Sequence, residues 1–480
     1  MNFRKAIYSI SKYDYIFIAI IFLFILLRFY DLSLPFFGDE VGFYVKAVYY
    51  MQHHIISLLP GDIPGDYSRG HPLLFLFIYS TISKLSGFYV YLLHTISLFI
   101  SIATLWATYL FSKKLFTPII ALATVVLVMV QPVYLAQSLM VLPEMMLTFF
   151  VTLSICYYTE KKVVLYFIAC SLALLTKESA VILPLALFSG DYIYGCIKDR
   201  KILLGKCISY LWALYPLSVF ITFFIIQRIQ VGWFFFPIHV DLVSFYYKDI
   251  AWRIIQAVHF LFIKQGRILW LIIIGLFMIK FIKNIYHHKA LPSDYRNVSI
   301  FILFILGVIA FSSLNFSLHR YLLYAIPALC IFTVYCLNTV LNNKILLVVA
   351  FFILCTVSIY FAKSNSLMYD ENLSFKEMVS VNKKAIAYME DHQLFNDVIV
   401  ANSPVCEEMS DTCMGYLRYK NFTKAYLTND IKSVSKNNKI DWCIINDPEI
   451  FDFNILPFKV KKEIIFTSSF ASTGIYKVVP

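Results

Sequence analysis

Two adjacent acids, Asp39 and Glu40, follow the first hydrophobic run of this chain, in the stretch Pro35-Phe36-Phe37-Gly38-Asp39-Glu40-Val41. Carboxylates at a membrane surface, inside an otherwise apolar sequence, are costly to place and mark chemistry. A carboxylate pair in a cavity suits a general base, with one oxygen taking a proton from a hydroxyl or amine. Basic groups in the same cavity suit a phosphate, which Arg forks and Lys binds as a point charge. Together they describe a group transfer in which phosphate leaves. The bland readings are that Asp39 caps a helix starting at Glu40, and that Glu144, after Pro143, is a first-turn acid on a helix dipole. Lys177-Glu178 could likewise be a local ion pair, and Arg320 an interfacial anchor.

The elements that must position these groups follow from composition. Hydrophobic residues make up 60% of 480 positions and charged residues 15%, with a mean hydropathy of +0.73. A soluble domain carries about a quarter charged residues. Runs long enough to cross ~30 Å of hydrocarbon recur. The chain therefore reads as a polytopic α-helical membrane protein with about eleven transmembrane helices. These run over about 15–34, 89–111, 115–139, 142–159, 163–176, 180–197, 202–226, 260–283, 298–317, 321–341 and 345–362. The net charge of +12 is no sign of nucleic acid, because much of it lies in short turns: Lys113-Lys114, Lys161-Lys162, Lys198/Arg200/Lys201, Lys280/Lys283/Lys289 and Lys344. The positive-inside rule makes those turns cytoplasmic, together with the N-terminus, in a bacterial inner or plasma membrane. No cleavage site for a signal peptide follows the first span. The apolar stretch 71–87 is too short to cross and reads as a re-entrant or interfacial helix.

The opposite, outer face then collects the unusual residues. The outer loop 35–88 holds Asp39, Glu40, Arg69 and His71. Later outer turns hold Glu144, Lys177-Glu178 and Arg320-Tyr321. A long loop, about 227–259, holds Gly232-Trp-Phe-Phe-Phe-Pro237-Ile-His239. A polar cavity on that face is the main inference. The domain division is 1–363 in the membrane and 364–480 outside it. The second part reads as a small extracytoplasmic α/β domain, with a helix over 375–392 and strands near 397–401, 439–445, 462–467 and 474–479. It is expected to hold no catalytic residue. Cys406 and Cys413 within it could pair if that compartment is oxidising. No cysteine spacing resembles a zinc site.

The order of these pieces resembles the polyprenyl-phosphate-dependent glycosyltransferases of GT-C type, which include the protein O-mannosyltransferases and the lipid A aminoarabinose transferases. Five segments within about 10–360 carry the resemblance. Gly38-Asp39-Glu40 resembles the acidic motif after the first span. Arg69-Gly-His71-Pro72-Leu73 resembles the His-Pro-Pro-Leu segment, though only one proline follows His71. Met140-Val-Leu-Pro143-Glu144 resembles the Arg-x-x-x-Pro-Asp turn, without its arginine and with Glu for Asp. Leu175-Thr-Lys177-Glu178 resembles the Leu-Thr-Lys turn. Arg320-Tyr321-Leu322-Leu323-Tyr324-Ala-Ile-Pro327 resembles the Arg-Tyr-Leu-Leu-Pro segment of a late span.

The resemblance implies a sugar carried on polyprenyl phosphate and an inverting transfer to a protein, lipid A or glycan acceptor. Asp39 would be the base, with Arg320, Lys177 and Arg69 on the phosphate. Glu144 would bind the sugar or orient the acceptor, and Glu40 or His71 would support it. Glu178, His239 and Tyr321 complete the substrate-binding set. No nucleotide or other cofactor is required. A divalent cation is compatible with the carboxylates and His239, but nothing demands one. The rival reading, a transporter or flippase of lipid-linked sugars, would show an inverted repeat and midplane charge; the sequence has neither.

Overall fold

The longest helices are predominantly apolar and satisfy their backbone internally, so they can lie in hydrocarbon. The structure, a computed structural model, describes residues 11–199, 204–287, 295–314, 318–341, 343–364, 369–437 and 439–479. Among the described residues, five helical segments are long and apolar enough to cross a membrane: Lys12–Ser33, Val90–Leu115, Glu178–Asp199, Tyr295–Leu314 and His319–Val340. A sixth forms if Cys207–Leu214 and Leu217–Val231, bent by 49°, count as one. The chain is a multi-pass membrane protein.

Where they are described, the expected eleven spans fall on helices, but several are interrupted or short. Predicted span 115–139 is interrupted at Val130-Gln131, and Pro118–Met129 and Pro132–Gln137 each begin on a proline. Val163–Thr176 has 14 residues, about 21 Å of helix, and Lys344–Tyr360 has 17. Predicted span 260–283 is also broken. Helix Tyr247–Phe262 ends in a kink where Gln265 adopts φ +58°, and Ile268–His287 resumes beyond it. The supposed loop 227–259 therefore contains the start of a long helix. The short apolar helix in the first loop is Leu74–Ser86, which packs against Val45–His53.

Ion pairs mark one end of the bundle. Lys113 binds Asp14 at 2.8 Å, while Lys114 and Lys162 meet Glu160 at 3.5 and 2.5 Å. Arg296 forks Asp191, which also accepts from Tyr158, two residues before Glu160. Arg200, Lys201 and Lys289 lie outside the described residues. The acids and bases singled out above gather at the other end.

The C-terminal sheet has the order β2 (Ala425–Leu427), β1 (Ile399–Ala401), β3 (Trp442–Asn446), β5 (Ser472–Val479), β4 (Lys459–Thr467). β1 pairs in parallel with β2 and β3, and the last two strands are antiparallel. Helix Phe375–Asp391 covers one face. Cys406 and Cys413 are both free, the first buried and the second half-buried, so the expected pairing is not formed.

This segment shares its core with the first loop. Phe36, Phe37, Val41 and Met140 pack in one cluster with Phe375, Met378 and Tyr416. The Phe37 and Phe375 rings lie 6.1 Å apart. Phe36 N–H donates to Met414 O at 3.1 Å. Gly415, at φ +87°, lets the chain come within van der Waals reach of Pro35, where a Cβ would sit 3.3 Å from the Pro35 Cα. Lys376 grips both oxygens of Asp31 at 2.6 Å.

Candidate active site

Asp39 and Glu40 open a wide π turn, Glu40–Tyr44, leading into helix Val45–His53. Such turns recur at functional sites, because the extra residue re-aims side chains. Here the two acids part. Glu40 turns inward and is 1% exposed. Its Oε2 accepts from Phe37 N–H at 2.8 Å and its Oε1 from Val141 N–H at 2.6 Å, so it ties the first loop to the turn before Pro143. His94 Nε2 approaches the same carboxylate at 3.5 Å. Asp39 makes no capping bond to the turn that it begins. Instead its Oδ2 accepts from Arg320 Nη2, and 34% of its side chain remains exposed.

Arg320 is the hub. It sits in the tight turns His319–Ala325 ahead of helix Ile326–Val340, buried beside the start of helix Pro143–Thr159. Its Nη2 binds Asp39 and its Nη1 binds Asp370. Its Nε stands 3.9 Å from Glu144 Oε1, beyond hydrogen-bond reach. Arg320 Nε and Glu144 Oε2 are both buried without a hydrogen-bond partner. Buried polar atoms are rarely left so unless water or a ligand serves them. Lys177, at the break between Val163–Thr176 and Glu178–Val181, donates to Glu144 Oε1 at 2.8 Å, and its Nζ lies 3.7 Å from the centre of the Tyr321 ring.

A cavity of about 530 Å³ opens beside this cluster. Its lining includes the polar side chains Arg69, His71, Lys177, Glu178, His239 and Tyr321, together with the apolar Phe224, Phe235, Phe236, Val240, Val243 and Leu314. His71 Nδ1 donates to Glu178 Oε2 at 2.9 Å, and the His71 and His239 rings lie 5.0 Å apart. Burial lowers the His239 imidazole to about 4, with His71 adding to the effect, so it is neutral at physiological pH. Arg69 lies flat on Phe43, 3.2 Å from the ring centre. Burial also brings its guanidinium below the ordinary range, against the nearby charge of Asp39. Gly70 makes this approach feasible. It adopts φ +70°, and a Cβ there would sit 2.8 Å from Trp233 and 3.2 Å from the Phe236 nitrogen, closing the gap between the first loop and the aromatic loop.

Six of the ten side chains singled out from sequence thus share one cavity wall. Glu144 joins that wall through Lys177, Arg320 lies beside Tyr321, and Asp39 joins through Arg320, while Glu40 braces the loop from the interior. Sequence reasoning missed Asp370, with Glu371 and Lys264 behind it. Glu371 accepts from His319 and Lys264. Burial alone would raise its carboxyl, but the hydrogen bond from His319 and the Lys264 charge bring it below the ordinary range. The signal was available: Asp370-Glu371 is a second Asp-Glu pair shortly after an apolar helix. Among the described residues, no group of three or more His, Cys, Asp or Glu side chains could hold a metal ion.

No protein-family model and no curated protein matches the chain at the level of sequence. Solved structures do match its fold. The crystal structure of ArnT from Cupriavidus metallidurans bound to undecaprenyl phosphate is 12% identical, with a TM-score of 0.53, and the match covers 96% of this chain and 97% of that one. The apo form of the same protein gives 11% and 0.54 over the same shares. The chain therefore shares the fold of that protein over nearly its whole length, in line with the resemblance drawn from the five sequence segments.

Proposed function

We propose that this protein is an integral-membrane glycosyltransferase that takes a sugar from a polyprenyl-phosphate carrier and passes it, with inversion, to an acceptor hydroxyl or amine. The observation that carries the reading is the cavity. Cationic, phenylalanine and aliphatic side chains line it together, and a partly exposed carboxylate, Asp39, is bound to Arg320 beside it. Arg69 and Lys177 would hold the phosphate, and the apolar lining would hold the first prenyl units. The fold match to a protein bound to undecaprenyl phosphate supports that choice of carrier.

In the transfer, Asp39 takes the proton of the acceptor as its oxygen or nitrogen attacks the anomeric carbon. The carbon–oxygen bond to phosphate breaks on the opposite face, and polyprenyl phosphate departs with the bonding pair. The charge that grows on it is met by Lys177 and Arg69, with Arg320 behind, the kind of preorganised electrostatics that dominates such steps. Glu144, fixed by Lys177 and with one oxygen unserved, is placed to accept from a sugar or acceptor hydroxyl. His71 and Glu178 orient one another, and neutral His239 offers a hydrogen bond rather than a charge. Glu40 acts through the backbone that carries Asp39.

The test is binding of undecaprenyl phosphate to the purified full chain in lipid nanodiscs, followed by transfer from a labelled polyprenyl-phosphate sugar. Lys177→Ala should weaken binding and turnover together, since the phosphate is present in ground and transition states alike. Absence of saturable binding by the wild type would rule the proposal out.

A further inference from the structure

The turn Tyr369–Glu371 is fastened on both sides of Asp370. Tyr369 O–H donates to Asp447 Oδ2 at 2.6 Å, just past β3. Glu371 is held by Lys264 and His319, and Gln137 Nε2 donates to the Asp370 carbonyl at 2.9 Å. Fixed in this way, Asp370 reaches Arg320 Nη1 while Asp39 takes Nη2. Its side chain is 13% exposed. Arg320 alone thus meets two carboxylates on its terminal nitrogens, with Glu144 3.9 Å from its Nε. Asp39 and Glu144 belong to the first loop and a membrane helix, and each has a second cation nearby, Arg69 and Lys177. Asp370 comes from the segment leading into the C-terminal sheet.

We propose that Asp370 is a positioning residue of the transfer site, which shares Arg320 with Asp39 and limits how much guanidinium charge reaches the donor phosphate. The proposal rests on the donor reading above and deepens it. A guanidinium with both terminal nitrogens engaged by carboxylates is held in one plane and one rotamer. It keeps Asp39 aimed, yet it binds an incoming anion weakly. That suits a site that must release its product, because the leaving polyprenyl phosphate monoester carries more charge than the diester that entered. Burial pushes the Asp370 carboxyl above the ordinary range; Arg320 opposes this, and Asp39 and Glu371 add to it. A strained third carboxylate of this kind is expected where anions crowd one cation. The C-terminal domain would in this way set the strength of a site it does not line.

The experiment measures the Kd of undecaprenyl phosphate on the full chain in nanodiscs for wild type, Asp370→Asn, Asp370→Glu and Tyr369→Phe. Removing one negative charge beside Arg320 should tighten binding by about 3- to 10-fold, the effect of one unit charge a few ångströms away in a partly solvated site. Asp370→Glu keeps the charge and should stay within about twofold of wild type. Tyr369→Phe loosens the turn without changing charge and should leave binding equal or weaker. Structural damage would weaken binding in every variant, so tightening confined to the neutral one is the signature. If Asp370→Asn does not fold, Asp370→Ser makes the same comparison. Equal or weaker binding by the neutral variant, or equal tightening by Tyr369→Phe, overturns this inference alone. A wild type that fails to bind overturns the donor reading and this inference with it.

Discussion

Asp39→Asn separates chemistry from architecture at this site. The amide keeps an oxygen that can accept from Arg320 Nη2, and a third of the side chain is exposed, so water can serve the new NH2. The ion pair lost is partly solvated, and the cost to folding should be under about 1 kcal/mol. What the amide cannot do is take the acceptor's proton. Loss of a general base costs about 10²–10⁴ in rate, roughly 3–5 kcal/mol on the barrier at 1.36 kcal/mol per tenfold. The assay follows release of polyprenyl phosphate from a labelled sugar donor by purified protein, with undecaprenyl phosphate binding measured in parallel. Binding should hold or tighten, by up to about tenfold, since Arg69 and Lys177 still line the cavity and one negative charge beside Arg320 is gone. Turnover within tenfold of wild type, at intact binding, would refute the assignment and turn attention to Asp370 and Glu144.

The other predictions concern stability. Glu40→Gln sets an amide NH2 against one of two buried backbone N–H groups and should cost about 1–3 kcal/mol, read as a lower Tm in detergent; an unchanged Tm would contradict its bracing role. Lys177→Met leaves Glu144 buried with Arg320 only at 3.9 Å, which should cost roughly 3–5 kcal/mol. Adding Glu144→Gln should restore more than half of that loss, and a double variant no more stable than the single would deny the pairing. Glu408, buried in the C-terminal domain and held by Asn382 at 2.8 Å, has its carboxyl raised by burial to about 8. Its folded form favours the proton, so its contribution to stability is complete below the unfolded carboxyl range, near pH 4.5, and is lost as pH rises toward 8. Glu408→Gln should therefore gain on wild type by about 1.4 kcal/mol per pH unit across that window, and parallel stability curves would refute this.

Much of the site was legible because charge beside apolar sequence is expensive. Arg320, Lys177 and Glu144 each stand at the start or end of an apolar run, where an ionisable residue must find a partner, and they found one another. The same logic hid Asp370. Placed after residue 363, it counted as part of a polar domain in which an acid costs little and signals little. The division at 363 also concealed the shared core of Phe37, Met140, Phe375 and Tyr416, because contacts between residues 300 positions apart leave no periodicity to read. Backbone breaks were equally silent. A Gln in the left-handed region at 265 is not forecast by its residue type, and strand β2 is only three residues long. Helix interruptions were hidden for a related reason: hydropathy measures how apolar a run is, but prolines 118 and 132 mark where its helices begin.

The short helices and the C-terminal domain have one consequence in common. Helix Val163–Thr176 is about 21 Å long, shorter than the ~30 Å of hydrocarbon. Lys177 follows its last turn and meets the buried Glu144. Arg320 and Glu144 likewise sit where helices begin, so the cluster is built from helix ends. A recess full of charge needs a cover, and the segment around Tyr369–Glu371 provides it with a carboxylate, not an apolar plug. If Asp370 sets the charge that Arg320 presents, the covering domain is electrostatically part of the site. A chimera carrying a C-terminal segment of the same fold, but lacking an acid at 370, should fold onto the first loop through the Phe37–Phe375 contact and still bind undecaprenyl phosphate more tightly than the native chain. Docking with unchanged affinity would show that the domain covers the recess without tuning it.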